Sequence, residues 1–443
     1  MNDVFARAEW FGGIVYQRKY RSAVPLAGEL WEALSGDDPG RKKAFADDPA
    51  VVKLLSDGVL DERLNFRCPV LPPASVMAER TLTGPLTAYL HITESCNLAC
   101  SHCMFKDLKT RRGEMAPGRM ERLLDILEEN NVPELRVTGG EATVYPHIVQ
   151  LLTSAKRRGM YVMLNTNCAG DFDSLYKTLA DLGVDELITS LDGDAEYHDA
   201  HRDNSFTAAA ATLEAIKRYK DERGLKLPVI TVNFCFGKEN VELYDFVLGF
   251  CVRHGFNLNL MPVRDTDFCA DNLGKKLTTG QFMEFSKKIE ASRHLPEVRA
   301  SGIKLIHKNF DLYNTGFADR SGLPFPFDGS ACGAANFGIA IASNGDCYPC
   351  GFEIDDKTGT NNIFEKSLGD IWNSAEFNAF RHIPGHEECA SCEFLHKSCQ
   401  GPCKVMVKHS LDGRDGGCYR DLMGCGGGDE WPVTSGQWSV TGD

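Results

Sequence analysis

Positive charge is in short supply in this chain. Across 443 residues, 62 Asp and Glu stand against 48 Lys and Arg, a formal net charge of −14. That sign argues against non-specific binding to nucleic acid or to a membrane surface, and it suits a soluble enzyme. Long apolar runs are also lacking: none reaches the roughly 18 residues of a membrane span. The opening MNDVFARAEW has neither a basic stretch nor an apolar one, so no signal peptide is read there. No internal repeat appears at solenoid periods. These absences predict a cytoplasmic protein of two or three domains with a sizeable core.

Cysteine, by contrast, is abundant, at 17 residues. In a reducing compartment they should not form a disulfide framework. They are clustered, three within 96–103 and nine from Cys332 to Cys425, and such clusters read as metal or iron–sulfur ligands. The first group lies in HITESCNLACSHCMFK, His91 to Lys106, with the spacing C-x3-C-x2-C. A structural zinc site takes four protein ligands, and a [4Fe–4S] cube has four iron corners. Three thiolates on a cube, from Cys96, Cys100 and Cys103, leave one iron free to bind a reactant. A zinc site, in a binding protein without catalysis, is the competing reading.

The pattern of elements predicts an α/β fold. Residues 1–66 read as a small module, with the start of a hairpin at FGGIVYQR and helices in PLAGELWEALSG and PAVVKLLSDGVL. A proline-rich linker is expected over 67–84. Strands at 86–93, 134–138, 160–165, 185–191, 228–235 and 257–262 alternate with helices at 117–130, 145–158, 172–182, 205–221 and 240–254. Such alternation implies βαβ units and a parallel sheet. Six units make a partial (β/α)6 barrel, assigned to 85–300, and barrel enzymes keep their reactive groups on loops after the strands. The three cysteines fall on the first such loop. A cysteine-rich region is assigned to 301–425 and a flexible tail to 426–443.

CNLACSHC resembles the signature of the radical S-adenosylmethionine (SAM) superfamily. The resemblance implies that SAM binds the open iron and is cleaved reductively to a 5′-deoxyadenosyl radical that abstracts hydrogen. The residue before the third cysteine, usually aromatic in the family, is His102 here. VTGGEATVYP resembles the family's GGE motif, with Gly139, Gly140 and Glu141. Glycines let backbone approach closely, and the carboxylate can help to hold an ammonium. Further SAM contacts are assigned to Asn165 and Asn167 in LNTNC, to Ser190 and Asp192 in TSLDG, and to Arg202 in HDAHRDN, where a guanidinium suits a carboxylate. No catalytic acid or base is assigned beyond the cluster.

The later cysteines, with spacings C-x2-C-x6-C-x3-C from Cys389 to Cys403, resemble the SPASM extension of radical SAM enzymes. The family's middle spacing is x5. The resemblance implies two auxiliary clusters, and so three [4Fe–4S] clusters in all. One takes Cys332, Cys350 and Cys403, with Cys347 as fourth ligand and an open site, Cys269 or Cys425 as alternatives. The other takes Cys389, Cys392, Cys399 and Cys418. Structural zinc is again the competing reading.

The N-terminal module resembles the winged-helix-like recognition element of ribosomal-peptide (RiPP) maturases. This implies a partner, a precursor peptide whose leader adds a strand to the sheet edge, and an electron donor such as flavodoxin or ferredoxin. The implied activity is a thioether or carbon–carbon crosslink in that peptide. Oxidation of a protein side chain, as by sulfatase maturases, or of a small-molecule cofactor precursor is the alternative.

Overall fold

A computed structural model describes residues 3–78, 80–103, 105, 113–263, 274–306, 324, 332–354, 361–383, 389, 391–392 and 401–409. Cys399 and Cys418, the alternative ligands Cys269 and Cys425, and the tail 426–443 lie outside the described residues.

The chain begins with an antiparallel sheet, β1 (Val4–Glu9), β2 (Gly12–Gln17) and β3 (Ser22–Ala27). Helices α1 (Gly28–Ser35), α2 (Pro39–Ala44) and α3 (Pro49–Ser56) follow. Asp38 and Asp48 cap α2 and α3 by accepting backbone N–H bonds, each with a proline at the first helical position, where a missing N–H costs nothing. Val15, Leu26, Leu30, Val51 and Leu54 close the core between sheet and helices. The paired glycines expected to open a hairpin lie inside β2 instead, and the turn is Trp10–Phe11. A Cβ on Gly13 would stand 2.1 Å from the Trp31 ring, so the residue clears space for that indole. Part of the expected linker is ordered as β4 (Val70–Leu71), which pairs parallel with β1.

Next comes the barrel: β5 (Thr87–His91), α4 (Pro117–Glu129), β6 (Glu134–Thr138), α5 (Ile148–Arg157), β7 (Tyr161–Asn165), α6 (Lys177–Asp181), β8 (Glu186–Ser190), α7 (Ala195–His201), α8 (Phe206–Arg223), β9 (Val229–Phe236), α9 (Tyr244–His254) and β10 (Asn257–Pro262). The six strands are parallel and neighbours in chain order. Along each strand side chains alternate. Leu90, Val137, Leu164, Leu187 and Val232 point outward into the main core under the helices. The residues between them face the barrel interior and are largely polar.

Two further additions widen this sheet. After α10 (Thr279–Arg293) and α11 (Pro296–Ser301), β11 (Leu305–Ile306) extends the β10 edge. On the other side β12 (Gly338–Ile341) lies parallel to β5, and β13 (Cys347–Tyr348) turns back against β12. The result is a nine-stranded sheet, with the cysteine-rich region hydrogen-bonded to the barrel's first strand. The six-unit count did not anticipate β12. Helices Leu368–Trp372 and Ala375–Arg381 pack Trp372 and Phe377 into the main core.

The N-terminal module closes the lower end of the barrel. Glu134, at the start of β6, accepts hydrogen bonds from Tyr16 Oη at 3.0 Å, Arg21 Nε at 3.1 Å and Thr87 Oγ1 at 2.8 Å. Arg21 also stands 3.6 Å from Glu186 and lies against the Tyr161 ring. A buried Arg7–Glu9 pair at 2.7 Å grips Thr83 and Gly84 from the module side.

Candidate active site

The upper, C-terminal ends of the strands carry the candidate residues. Cys96, Cys100 and Cys103 follow β5 on a loop stitched to three other strand ends. Asn97 Oδ1 accepts from Asn167 Nδ2 at 2.7 Å, and Asn97 Nδ2 donates to the Ala169 carbonyl at 3.2 Å. The Ala99 N–H donates to Asp203 Oδ2 at 3.1 Å, and the Ser101 N–H donates to the His201 carbonyl at 3.0 Å. Asn97, His201 and Asp203 were not among the residues picked from the sequence. HDAHRDN drew attention for Arg202 alone, and nothing local reveals a contact made over a hundred residues away.

Gly139 and Gly140 serve this loop. A Cβ on Gly139 would come within 2.4 Å of the Thr93 carbonyl oxygen, and one on Gly140 within 2.4 Å of the Ser95 carbonyl oxygen. The Gly140 and Glu141 N–H groups donate to those same two carbonyls, at 2.9 and 2.8 Å. The close approach is therefore to the root of the cysteine loop. Glu141 is buried, its Oε1 accepting from Thr143 N and Oγ1 at 3.0 and 2.7 Å and its Oε2 from Asn167 N at 2.7 Å. A carboxylate has about four acceptor sites, so these three bonds leave capacity for an ammonium.

Asp192, just past β8, is buried. Its Oδ2 accepts from Arg202 Nε at 2.5 Å and its Oδ1 from the Cys235 N–H at 3.2 Å. Burial pushes the Asp192 carboxyl up, but Arg202, His102 and His198 outweigh it and hold it below its ordinary value. His102 Nε2 stands 3.7 Å from Asp192 Oδ2. Burial, then the Arg202 charge, pushes the imidazole down to about 4, so it is neutral at physiological pH. Asn165 Oδ1 accepts from Arg136 Nε at 3.0 Å inside the barrel, and Ser190 ends β8 in register with Asn233.

The three thiols suit a cluster. Burial is the largest influence on Cys96 and Cys100 and raises both. A thiolate at Cys103 would raise both further, and one at Cys96 would raise Cys100. Arg202 acts the other way on Cys100, as a cation placed to offset thiolate charge. Among the described residues no three His, Cys, Asp or Glu side chains converge as ligands to one ion. A cube, whose corners are separate, asks for neighbouring thiols without that convergence.

In the cysteine-rich region none of the described cysteines is in a disulfide. Cys332, Cys350, Cys389, Cys392 and Cys403 are partly exposed. Cys347 is buried in the main core, with its Sγ 3.6 Å from the Gly345 carbonyl oxygen. The backbone of Gly351 places a potential Cβ 3.6 Å from His91 Nε2. The segment after Cys350 thus reaches the barrel's upper end. Among the described residues, no helix is long and apolar enough to cross a membrane.

Comparison with known proteins agrees with this geometry. Residues 90–246 match the radical SAM superfamily, and residues 332–393 match SPASM, an iron–sulfur cluster-binding domain. Mycofactocin maturase MftC of Mycolicibacterium smegmatis is 27% identical over 351 residues, covering 77% of this chain and 84% of the relative. PqqA peptide cyclase of Ruegeria pomeroyi is 26% identical over 325 residues, covering 71% and 81%. The crystal structure of Streptococcus suis SuiB bound to precursor peptide SuiA superposes with a TM-score of 0.70 at 19% identity, covering 93% of this chain and 97% of that one. That likeness shows a shared fold. The two matched domains imply SAM and [4Fe–4S] clusters as cofactors, so the chain carries a radical SAM domain followed by a SPASM domain and is similar to peptide maturases.

Proposed function

We propose that the chain matures a ribosomal precursor peptide in the cytoplasm, forming a thioether or carbon–carbon crosslink. The observation that carries this reading is the three-thiol loop set over a polar barrel interior, with a cysteine-rich region joined to the barrel's first strand. A [4Fe–4S] cluster on Cys96, Cys100 and Cys103, with SAM at its open corner, supplies hydrogen-abstracting radical chemistry when bound. Gly139 and Gly140 fix the root of that loop. Glu141 and Arg202 offer a carboxylate and a guanidinium to the amino and carboxylate groups of SAM. Asn165, Asn167, Ser190, Asp192 and His102 position the rest of the molecule.

The domain limits are 1–66 for leader recognition, 67–84 for the linker, 85–300 for the barrel and 301–425 for the auxiliary clusters. β3 is an edge strand of the N-terminal sheet, as strand addition by a leader requires. Holding the leader there keeps the core peptide near the barrel at high effective concentration. Two auxiliary clusters make three in all, one on Cys332, Cys347, Cys350 and Cys403 and the other on Cys389, Cys392, Cys399 and Cys418. Flavodoxin or ferredoxin supplies the electron.

The test is anaerobic reconstitution, iron counting, and addition of dithionite and SAM. About twelve irons per chain, four per cube, and release of 5′-deoxyadenosine are expected. A cognate precursor peptide should then lose two hydrogens, and deletion of residues 1–66 should abolish that loss. Zinc in place of iron, with intact SAM, would refute the reading.

A further inference from the structure

Several buried or half-buried arginines of this chain stand against carboxylates: Arg7 on Glu9, Arg158 on Asp125 and Arg202 on Asp192. Arg381, the last residue of its helix, does not. Its Nε donates to the Ala335 carbonyl at 2.8 Å and its Nη1 to Asn378 Oδ1 at 2.8 Å. The guanidinium carbon lies 4.7 Å from the Trp372 ring centroid. Nη2 is shut off from water and has no hydrogen-bond partner among the described residues.

A second cation adjoins it. Lys404 Nζ donates to the Arg381 carbonyl oxygen at 2.6 Å and lies over the Phe380 ring. Among the described residues no carboxylate pairs with either side chain. Burial pushes Arg381 down to about 10. Two like charges in a desolvated corner are unfavourable unless an anion joins them.

The neighbours name that anion. Ala335, which holds Arg381, is three residues after Cys332, and Asn336 Nδ2 fixes the Cys332 carbonyl at 2.8 Å. Lys404 itself directly follows Cys403 in the chain. A cluster ligated by thiolates carries net negative charge, and hydrogen bonds to its sulfurs set its potential.

We propose that Arg381 and Lys404 form a cationic seat for the first auxiliary cluster, with Arg381 Nη2 donating a hydrogen bond to it. Reduction adds negative charge, which the two cations stabilise, so the seat raises the reduction potential and favours this cluster as an electron acceptor. Both are positioning residues, and the proposal rests on the reading that Cys332 and Cys403 ligate a cluster.

The test is an EPR-monitored redox titration of the reconstituted full chain, with Cys96, Cys100 and Cys103 changed to Ala to remove the first cube's signal. In Arg381→Gln and in Lys404→Met, one midpoint should move to lower potential, on the order of tenfold in the one-electron equilibrium, or ~59 mV. Arg381→Lys, which keeps the charge, should move it less. Unmoved midpoints in iron-loaded variants overturn the proposal. If Arg381→Gln fails to hold iron, the Lys404→Met titration decides, a shift supporting the proposal and no shift overturning it. A parent protein that takes up no iron overturns the cluster reading itself, a result the iron count separates from the others.

Discussion

Arg202 Nε stands 2.5 Å from Asp192 Oδ2, and the pair joins the end of β8 to the segment that anchors the cysteine loop. The Asp192 backbone is held too, its carbonyl accepting from Asn240 Nδ2 at 2.8 Å. Asp192→Asn should leave the Arg202 charge largely uncompensated and cost about 3 kcal/mol, read as a lower urea midpoint at pH 7. The pH dependence has a defined sign. The folded carboxyl titrates below its ordinary value, so its contribution is complete above about pH 4 and is lost as pH falls through the folded value. The acid limb of a stability–pH curve should therefore be shallower in Asp192→Asn than in the parent.

Gly140→Ala should disconnect the cysteine loop. A methyl 2.4 Å from the Ser95 carbonyl oxygen cannot be accommodated without moving backbone. Overpacking of this kind costs about 1–3 kcal/mol. The expected product folds, with unchanged far-UV circular dichroism, but holds about four fewer irons per chain and releases little 5′-deoxyadenosine.

Cys96→Ala, Cys100→Ala and Cys103→Ala should each abolish 5′-deoxyadenosine formation while sparing the auxiliary iron. Iron per chain should fall by about four. Iron counts and product chromatography on the same preparations check both halves.

Glu134→Gln should loosen the N-terminal module. The carboxylate is the common acceptor for Tyr16, Arg21 and Thr87, and a neutral amide leaves Arg21 with only the more distant Glu186. A loss of about 1–3 kcal/mol is expected. Limited proteolysis should cut near residues 72–80 faster than in the parent.

The barrel was legible because its periods are clean. Every strand from β5 to β10 falls within two residues of its expected limits, since apolar β-branched runs alternate with amphipathic helices. The chain's few misleading signals have local causes. Gly12–Gly13 looks like a turn but lies in β2, where Gly13 makes room for Trp31. The four-residue GIAI of β12 is too short to carry a period of its own, so its pairing with β5, some 250 residues away, has no local mark. Likewise Gly139 and Gly140 were visible as a motif, but their contact with Thr93 and Ser95 depends on register between strands. Arg21 and Glu134, 113 residues apart, are each unremarkable alone.

The strand β12 has a mechanical meaning. Because Gly338–Ile341 is laddered to Thr87–Leu90, the root of the auxiliary region and the root of the three-thiol loop are parts of one rigid element. Sheets of this kind do not hinge between paired strands. On the proposed cluster assignment, the ladder sets the separation between the two ends of the site.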